Sequence, residues 1–346
     1  MNIQAHRAEY KDVEAMRGLY RQEMKRYFAL AVVAIVCCVF PFISSISAEP
    51  QRQIAITFDD LPSVPTYDVG EMKALTTKLL KTLKQNKVPA VGFVNEGKLH
   101  QRGPKEFEAR AAILKLWVDA GFELGNHTYS HLDMFTASAE KFKQDLIAGE
   151  RTTQKLLAAK GMKLRYFRHP FLNTGSSSEM KSAFDNILAE RKYIIAPVTV
   201  DNQDYVFAAV YADALKNNDH TMMSRVAEAY IPYMEAMLEF YEKQSSTLLG
   251  YEIKQILLVH ANMLNADHFD KLITRMKKRG YQFISLEEAL RDKAYELEDR
   301  FIARAGISWL QRWAFTQKHQ PTIEEFKLEP DAPDFIKQAY GARKQF

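Results

Sequence analysis

The sequence predicts an α/β protein: a distorted (β/α) barrel of about seven parallel strands with crossover helices, in a single domain. Three observations predict it. Short apolar runs alternate with helical stretches from Gln53 to Leu286, and that alternation implies parallel strands joined by right-handed crossovers. The polar residues with chemical potential fall just after the apolar runs, where such folds put their reactive groups. No internal repeat and no long Gly/Ser-rich linker divides the chain.

The elements follow in order. Gln53–Phe58 is a short apolar strand ending in two acids. Over Val69–Asn86, Met72, Leu75, Leu79, Leu80 and Leu83 recur at helical spacing. Val88–Val94 is the second strand; Glu106–Ala120 is a helix stopped by Gly121. Phe122–His127 is a strand, and Ser138–Ala159 a helix with Ser138 as N-cap and Gly161 beyond its end. Arg165–Arg168 is a strand, Ser177–Lys192 a helix and Tyr193–Val200 a β-rich run. A long helical stretch covers Phe207 to about Lys243. Gln255–His260 is a strand, Asp267–Arg279 a helix and Tyr281–Leu286 the last strand. The stretch from Phe207 to Tyr251 exceeds a simple crossover, and its Tyr and Met residues read as helical core or, alternatively, as a lid.

The N-terminus reads as an address. Phe28–Ile46 is apolar and uncharged, preceded by Lys25-Arg26 and followed by Ser47-Ala48. That is the layout of a secretory signal, although the run is also nearly long enough to anchor in a bilayer. Met24 is a second plausible start. We therefore expect residues 1–48 to be tail and signal, 49–300 a catalytic domain and 301–346 a C-terminal extension. Export to the periplasm or beyond is the expectation, with an inner-membrane signal anchor as the alternative.

Composition sets further limits. The chain has 346 residues, 47% hydrophobic and 26% charged, with a formal net charge of +4. That suits a globular protein. Without a Lys/Arg-rich stripe, nucleic acid is not an expected partner. The only cysteines, Cys37 and Cys38, are adjacent, so any metal must be held by His and carboxylate. The oligomeric state cannot be read from the sequence.

Five groups carry the chemistry. Asp59-Asp60 places two carboxylates at a strand end, where one can bind a metal and the other take a proton; a turn or helix cap is the plainer alternative. His127 and His131 stand four residues apart, close enough to share one metal with open positions. Arg168 can hold a carboxylate ionised, or make an ordinary ion pair. A carboxylate from the Asp201–Tyr205 stretch beside His260 would raise the imidazole pKa and make it an acid; alone, His260 would pass for a core histidine.

Together, Thr57-Phe58-Asp59-Asp60, His127-Thr128-Tyr129-Ser130-His131, Arg168-His169-Pro170-Phe171, Asp204 and His260 resemble the polysaccharide deacetylases of NodB-homology type, carbohydrate esterase family 4. The resemblance covers roughly Gln53 to Leu290 and implies the NodB-homology fold. It implies that Asp59 is the catalytic base and that Asp60, His127 and His131 bind the metal, usually zinc or another divalent ion such as cobalt. It implies that Arg168 tunes the site's charges and that the Phe171 backbone N–H holds the oxyanion. Asp204 would support the catalytic acid, His260, while Tyr205 and Leu258 would line the acetyl pocket. Tyr205 stands where the family often has Trp, Phe171 where it often has Tyr, and the turn after Phe171 is long; these changes bear on the groove more than on the chemistry.

The expected function is metal-dependent removal of N-acetyl groups from a glycan such as peptidoglycan or a chitin-like oligomer. The alternatives are O-acetyl ester hydrolysis on xylan or another glycan, and glycan binding without catalysis. Trp309 and Trp313, four apart, read as a seal on the barrel or as a sugar-stacking platform.

Overall fold

Nine residues, Gln53–Leu61, form β1, the strand on which the molecule is built. In this computed structural model residues 52–66, 68–317 and 329–343 are described; the N-terminal apolar run lies outside them. The other strands are β2 (Ala90–Val94), β3 (Glu123–Asn126), β4 (Tyr166–Phe167), β5 (Ile194–Ile195), β6 (Gln255–His260) and β7 (Gln282–Phe283). All pairings are parallel, in the order β5-β4-β3-β2-β1-β6. β7 joins only Gln53 and Ile54 of β1, ahead of the point where β2 begins. The chain beyond β5 bridges Val200 to Leu257 of β6, so the sheet curls round on itself.

Side chains alternate across a strand with period two, and that alternation aims the chemistry. On β1, Ile54, Ile56 and Phe58 join the large core beneath the helices, whereas Ala55 packs with Val91, Phe93 and Ile256 in a second, smaller cluster. Continuing the Ala55 face along the strand brings Thr57 and then Asp59 to the same side. On β6 the same step runs from Ile256 through Leu258 to His260.

The helices are α1 (Val69–Gln85), α2 (Gly97–His100), α3 (Pro104–Asp119), α4 (Ala139–Ala148), α5 (Arg151–Ala158), α6 (Ser178–Glu190), α7 (Asp204–Lys216), α8 (His220–Leu249), α9 (Met263–Lys278), α10 (Leu286–Ala289), α11 (Trp309–Thr316) and α12 (Asp334–Gly341). Phe58 lies against Trp117 of α3 and Phe269 of α9, with ring centroids 5.4 and 5.3 Å apart.

Several expected elements differ. The expected helix 138–159 is two helices broken at Gly149, because Gly149 lies against residues 126–129: a Cβ there would stand 2.9 Å from the Tyr129 nitrogen and 3.0 Å from the Thr128 carbonyl carbon. The expected helix 207–243 is α7 and α8, separated at Asn218, whose φ is 54°; the Asp219 side chain then caps α8. The expected helix 267–279 is α9, which starts at Met263 with Asn262 as N-cap. β4, β5 and β7 keep only two residues each.

The long helical segment is core. Tyr230, Met234, Met237 and Tyr241 are buried in the main cluster. Trp309 and Trp313 are also buried, 6% and 1% exposed, which rules out an open sugar-stacking platform. Among the described residues, no helix is long and apolar enough to cross a membrane.

Candidate active site

The strand ends converge as the alternation requires. Asp59, His127, His131, Phe171, Tyr205, Leu258 and His260 all line one open pocket. Asp60, Arg168 and Asp204 stand behind them, each 0% exposed. The residues assigned a site role by the sequence resemblance therefore come together at this one place.

Asp60, His127 and His131 form the sole three-residue cluster among the described residues that could hold a metal, with ligand atoms within 4.8 Å of one another. The His131 and His127 Nε2 atoms stand 3.6 and 3.9 Å from Asp60 Oδ1. Those separations are too long for hydrogen bonds and suit ligands sharing one ion. Neither Asp60 carboxylate oxygen receives a hydrogen bond, although both are buried. Lys98 Nζ is an ion-pair neighbour 3.5 Å from Oδ1 but hydrogen-bonds neither oxygen, so the buried carboxylate keeps acceptor capacity that a second cation would meet. The residues present therefore fit a divalent metal.

The surroundings hold the three in place. His127 Nδ1 contacts the Arg168 carbonyl at 2.8 Å, which turns Nε2 toward Asp60. The Asn95 amide donates to the His127 carbonyl (2.5 Å), and the Asp145 carboxylate accepts the Ser130 N–H (3.0 Å). Lys98 is buried and donates to the Asp60 carbonyl at 2.7 Å, with its Nζ 3.5 Å from Asp60 Oδ1. Burial alone would raise the Asp60 pKa, but Lys98, His131, His127 and His260 hold it well below the ordinary range. Among the described residues, five of the eight non-glycine positions with positive φ are in or beside the site: Asp60, Thr128, His131, Phe171 and Leu172. Such backbone persists only where its surroundings over-determine it.

Asp59 is gripped from one side. Arg168 Nη1 reaches Asp59 Oδ2 at 3.4 Å and Nη2 donates to the Thr57 hydroxyl at 3.0 Å, while the guanidinium lies over the Phe93 ring. Asp59 Oδ1 has no donor.

His260 stands next to Asp59 on the neighbouring strand. Its Nδ1 meets Asp204 Oδ1 at 2.7 Å, and its backbone N–H donates to Asp204 Oδ2 at 2.8 Å. Burial pushes the imidazole toward its neutral form, but the Asp204 carboxylate, together with Asp60 and Asp59, outweighs that and the pKa rises to about 9. Asn265 donates to Asp204 Oδ2 (3.0 Å) and accepts from the Tyr230 hydroxyl of α8 (2.7 Å), so the long helical segment braces the pair. The Tyr205 ring stands edge-on to His260, with centroids 6.1 Å apart. The Phe171 ring packs against His131 at 4.2 Å.

Sequence reasoning missed Asn95, Lys98, Asn262 and Asn265. All four follow apolar strand ends, at Val94 and at Val259, which is the signal that found the others. It also missed His169, which lines the pocket with neither ring nitrogen hydrogen-bonded. Burial holds the His169 pKa well below its usual value.

A carboxylate and a carboxylate-backed imidazole lining one pocket, next to a three-ligand cluster, equip a protein for hydrolysis. Comparison with known proteins agrees. The polysaccharide deacetylase family model matches residues 47–184. An uncharacterised 30.6 kDa protein of Geobacillus stearothermophilus is 27% identical over 67% of this chain and 71% of its own. The peptidoglycan-N-acetylglucosamine deacetylase of Bacillus cereus is 24% identical over 68% of this chain and 67% of its own. Among solved structures, a family 4 carbohydrate esterase from Streptomyces lividans in complex with acetate aligns with a TM-score of 0.43 and 20% identity, over 69% of this chain and 95% of that one. Residues 47–184 thus carry the polysaccharide deacetylase domain that the motifs of the sequence imply.

Proposed function

We propose that this protein is an exported, zinc-dependent N-deacetylase acting on N-acetylglucosamine units of a glycan such as peptidoglycan or a chitin-like oligomer. The products are acetate and a free amine. The observation that carries the reading is the Asp204–His260 pair beside Asp59 in one pocket, the two strands β1 and β6 holding Asp59 and His260 as register partners. An amide is cut only if its nitrogen gains a proton on leaving, and His260 is held in the protonated form that can supply one. The Bacillus cereus relative supports the substrate class. The Phe28–Ile46 run supports export.

Asp60, His127 and His131 would hold the metal, which when bound supplies a Lewis acid and lowers the pKa of a water. Asp59, oriented by Arg168, takes a proton as the water oxygen bonds to the acetyl carbon. The Phe171 N–H donates to the developing oxyanion. His260 gives its Nε2 proton to the sugar nitrogen as the C–N bond breaks. Tyr205 and Leu258 bound the space for the acetyl methyl.

The test is acetate release by the purified protein, with and without added zinc. N-acetylglucosamine oligomers, peptidoglycan and acetylated xylan are compared side by side. Zinc-dependent acetate from either of the first two is expected. Acetate from xylan alone would make the protein an esterase. Glycan binding with no acetate from any substrate would make it a binding protein on an enzyme fold.

A further inference from the structure

The turn after β4 stands in a backbone conformation that a side chain disfavours: Phe171 and Leu172 have φ of 56° and 52°. What holds it comes from the far end of the chain. Arg312, in the first turn of α11, is 1% exposed. Its Nη1 donates to the Leu172 carbonyl at 3.1 Å and its Nη2 to the Thr174 hydroxyl at 2.7 Å. The same guanidinium is locked by Asp299 Oδ2 (3.0 and 2.7 Å) and by the Phe301 carbonyl (3.2 Å). Asn173 Nδ2 donates to the Ala303 and Arg304 carbonyls at 3.2 and 2.6 Å. Gly306 comes closest of all. A Cβ there would lie 2.1 Å from the Phe171 carbonyl oxygen and 2.5 Å from the Leu172 carbonyl carbon. Gly306 is also part of the pocket wall.

We infer that residues 299–312 form a strap that positions the Phe171 turn of the catalytic pocket, with Arg312 and Gly306 as its positioning residues. Arg312 fixes the Leu172 carbonyl and Gly306 lets the strap lie flat on the Phe171 peptide; together they set where the Phe171 N–H points. The inference rests on the oxyanion role proposed for that N–H. Arginine is required because a planar fork must meet two acceptors on the turn and a carboxylate at once, which a lysine ammonium does not reproduce.

The test uses full-length, zinc-loaded protein carrying Arg312→Lys or Gly306→Ala. Trp313→Phe serves as control, altering the same helix through a ring that packs on Tyr295 instead. In both strap variants kcat on N-acetylglucosamine oligomers should fall about 10- to 100-fold. KM should stay within about threefold and zinc at one equivalent, because only the turn has moved. Amide exchange over residues 171–175 should quicken about tenfold or more. The control should keep its kcat per zinc-loaded molecule. Wild-type kcat in both strap variants, or unchanged exchange across the turn, overturns the inference. If the unaltered protein releases no acetate from any glycan, the deacetylase reading fails instead, and exchange alone decides whether the strap positions the turn.

Discussion

Asp59 and His260 are register partners: β1 and β6 run parallel and set these two residues side by side at their C-terminal ends. The proposed base and the proposed acid therefore sit on one backbone ladder, whose hydrogen bonds do not depend on either side chain. Asp59→Asn and His260→Gln should each lower kcat about 10²- to 10⁴-fold while near-ultraviolet circular dichroism stays native. The double variant should be little worse than the poorer single, since the two groups act in one reaction. Steady-state acetate release checks this, and near-normal turnover in either single variant would remove that residue from its role.

The Asp204–His260 bond predicts the alkaline side of the pH profile. The His260 pKa stands at about 9 because the Asp204 carboxylate, aided by Asp60 and Asp59, outweighs burial. A group that must donate a proton works below its pKa, so kcat/KM should hold through neutral pH and fall above about pH 9. Asp204→Asn removes the opposing charge and leaves the burial, so the limb should move to lower pH by roughly 1–3 units. A limb that stays near 9 in that variant belongs to another group.

Adjacent carboxylates with different duties can be told apart by metal content. Asp60 lies in the cluster with His127 and His131, whereas Asp59 is held by Arg168. Asp60→Asn and His131→Gln should lose stoichiometric zinc, measured by elemental analysis after desalting. Asp59→Asn should keep it while losing activity. Zinc at 100 times its Kd should also stabilise the unaltered protein by about 2.7 kcal/mol, seen as a rise in Tm that Asp60→Asn lacks. Zinc retained in Asp60→Asn would overturn the ligand assignment.

Much of this was legible because strand period and strand end are local properties. The apolar runs Gln53–Phe58 and Gln255–His260 already mark strand ends at Asp59 and His260, and both strands are present. What the sequence hid is long-range. β4, β5 and β7 are two residues long because the curled sheet allows no more pairing, so propensity overstated them. Arg312 and Gly306 sit more than 130 residues from the turn they contact, and no local pattern marks them. The stretch from Phe207 to about Lys243 is helical as read, but its break at Asn218 depends on a single left-handed residue.

Gly149 is the clearest instance of a local break serving the site. It interrupts what would be one helix, and the space thus freed is filled by residues 126–129, next to His127 and His131. An added Cβ would stand 2.9 Å from the Tyr129 nitrogen, 3.0 Å from the Thr128 carbonyl carbon and 3.1 Å from Asn126 Oδ1. The first two are backbone atoms and cannot turn aside. Asn126 Oδ1 is itself committed to the Thr128 N–H at 2.7 Å. Gly149→Ala should therefore destabilise the fold by about 1–3 kcal/mol and, by shifting the turn between the two histidines, weaken zinc binding about 10- to 100-fold. Gly161→Ala is the comparison: it stands in open space at φ +69°, so it should cost stability through its backbone alone and leave zinc affinity unchanged. Chemical denaturation and a zinc-chelator competition measure the two effects separately. Equal zinc affinity in the Gly149 and Gly161 variants would show that the turn does not depend on the break.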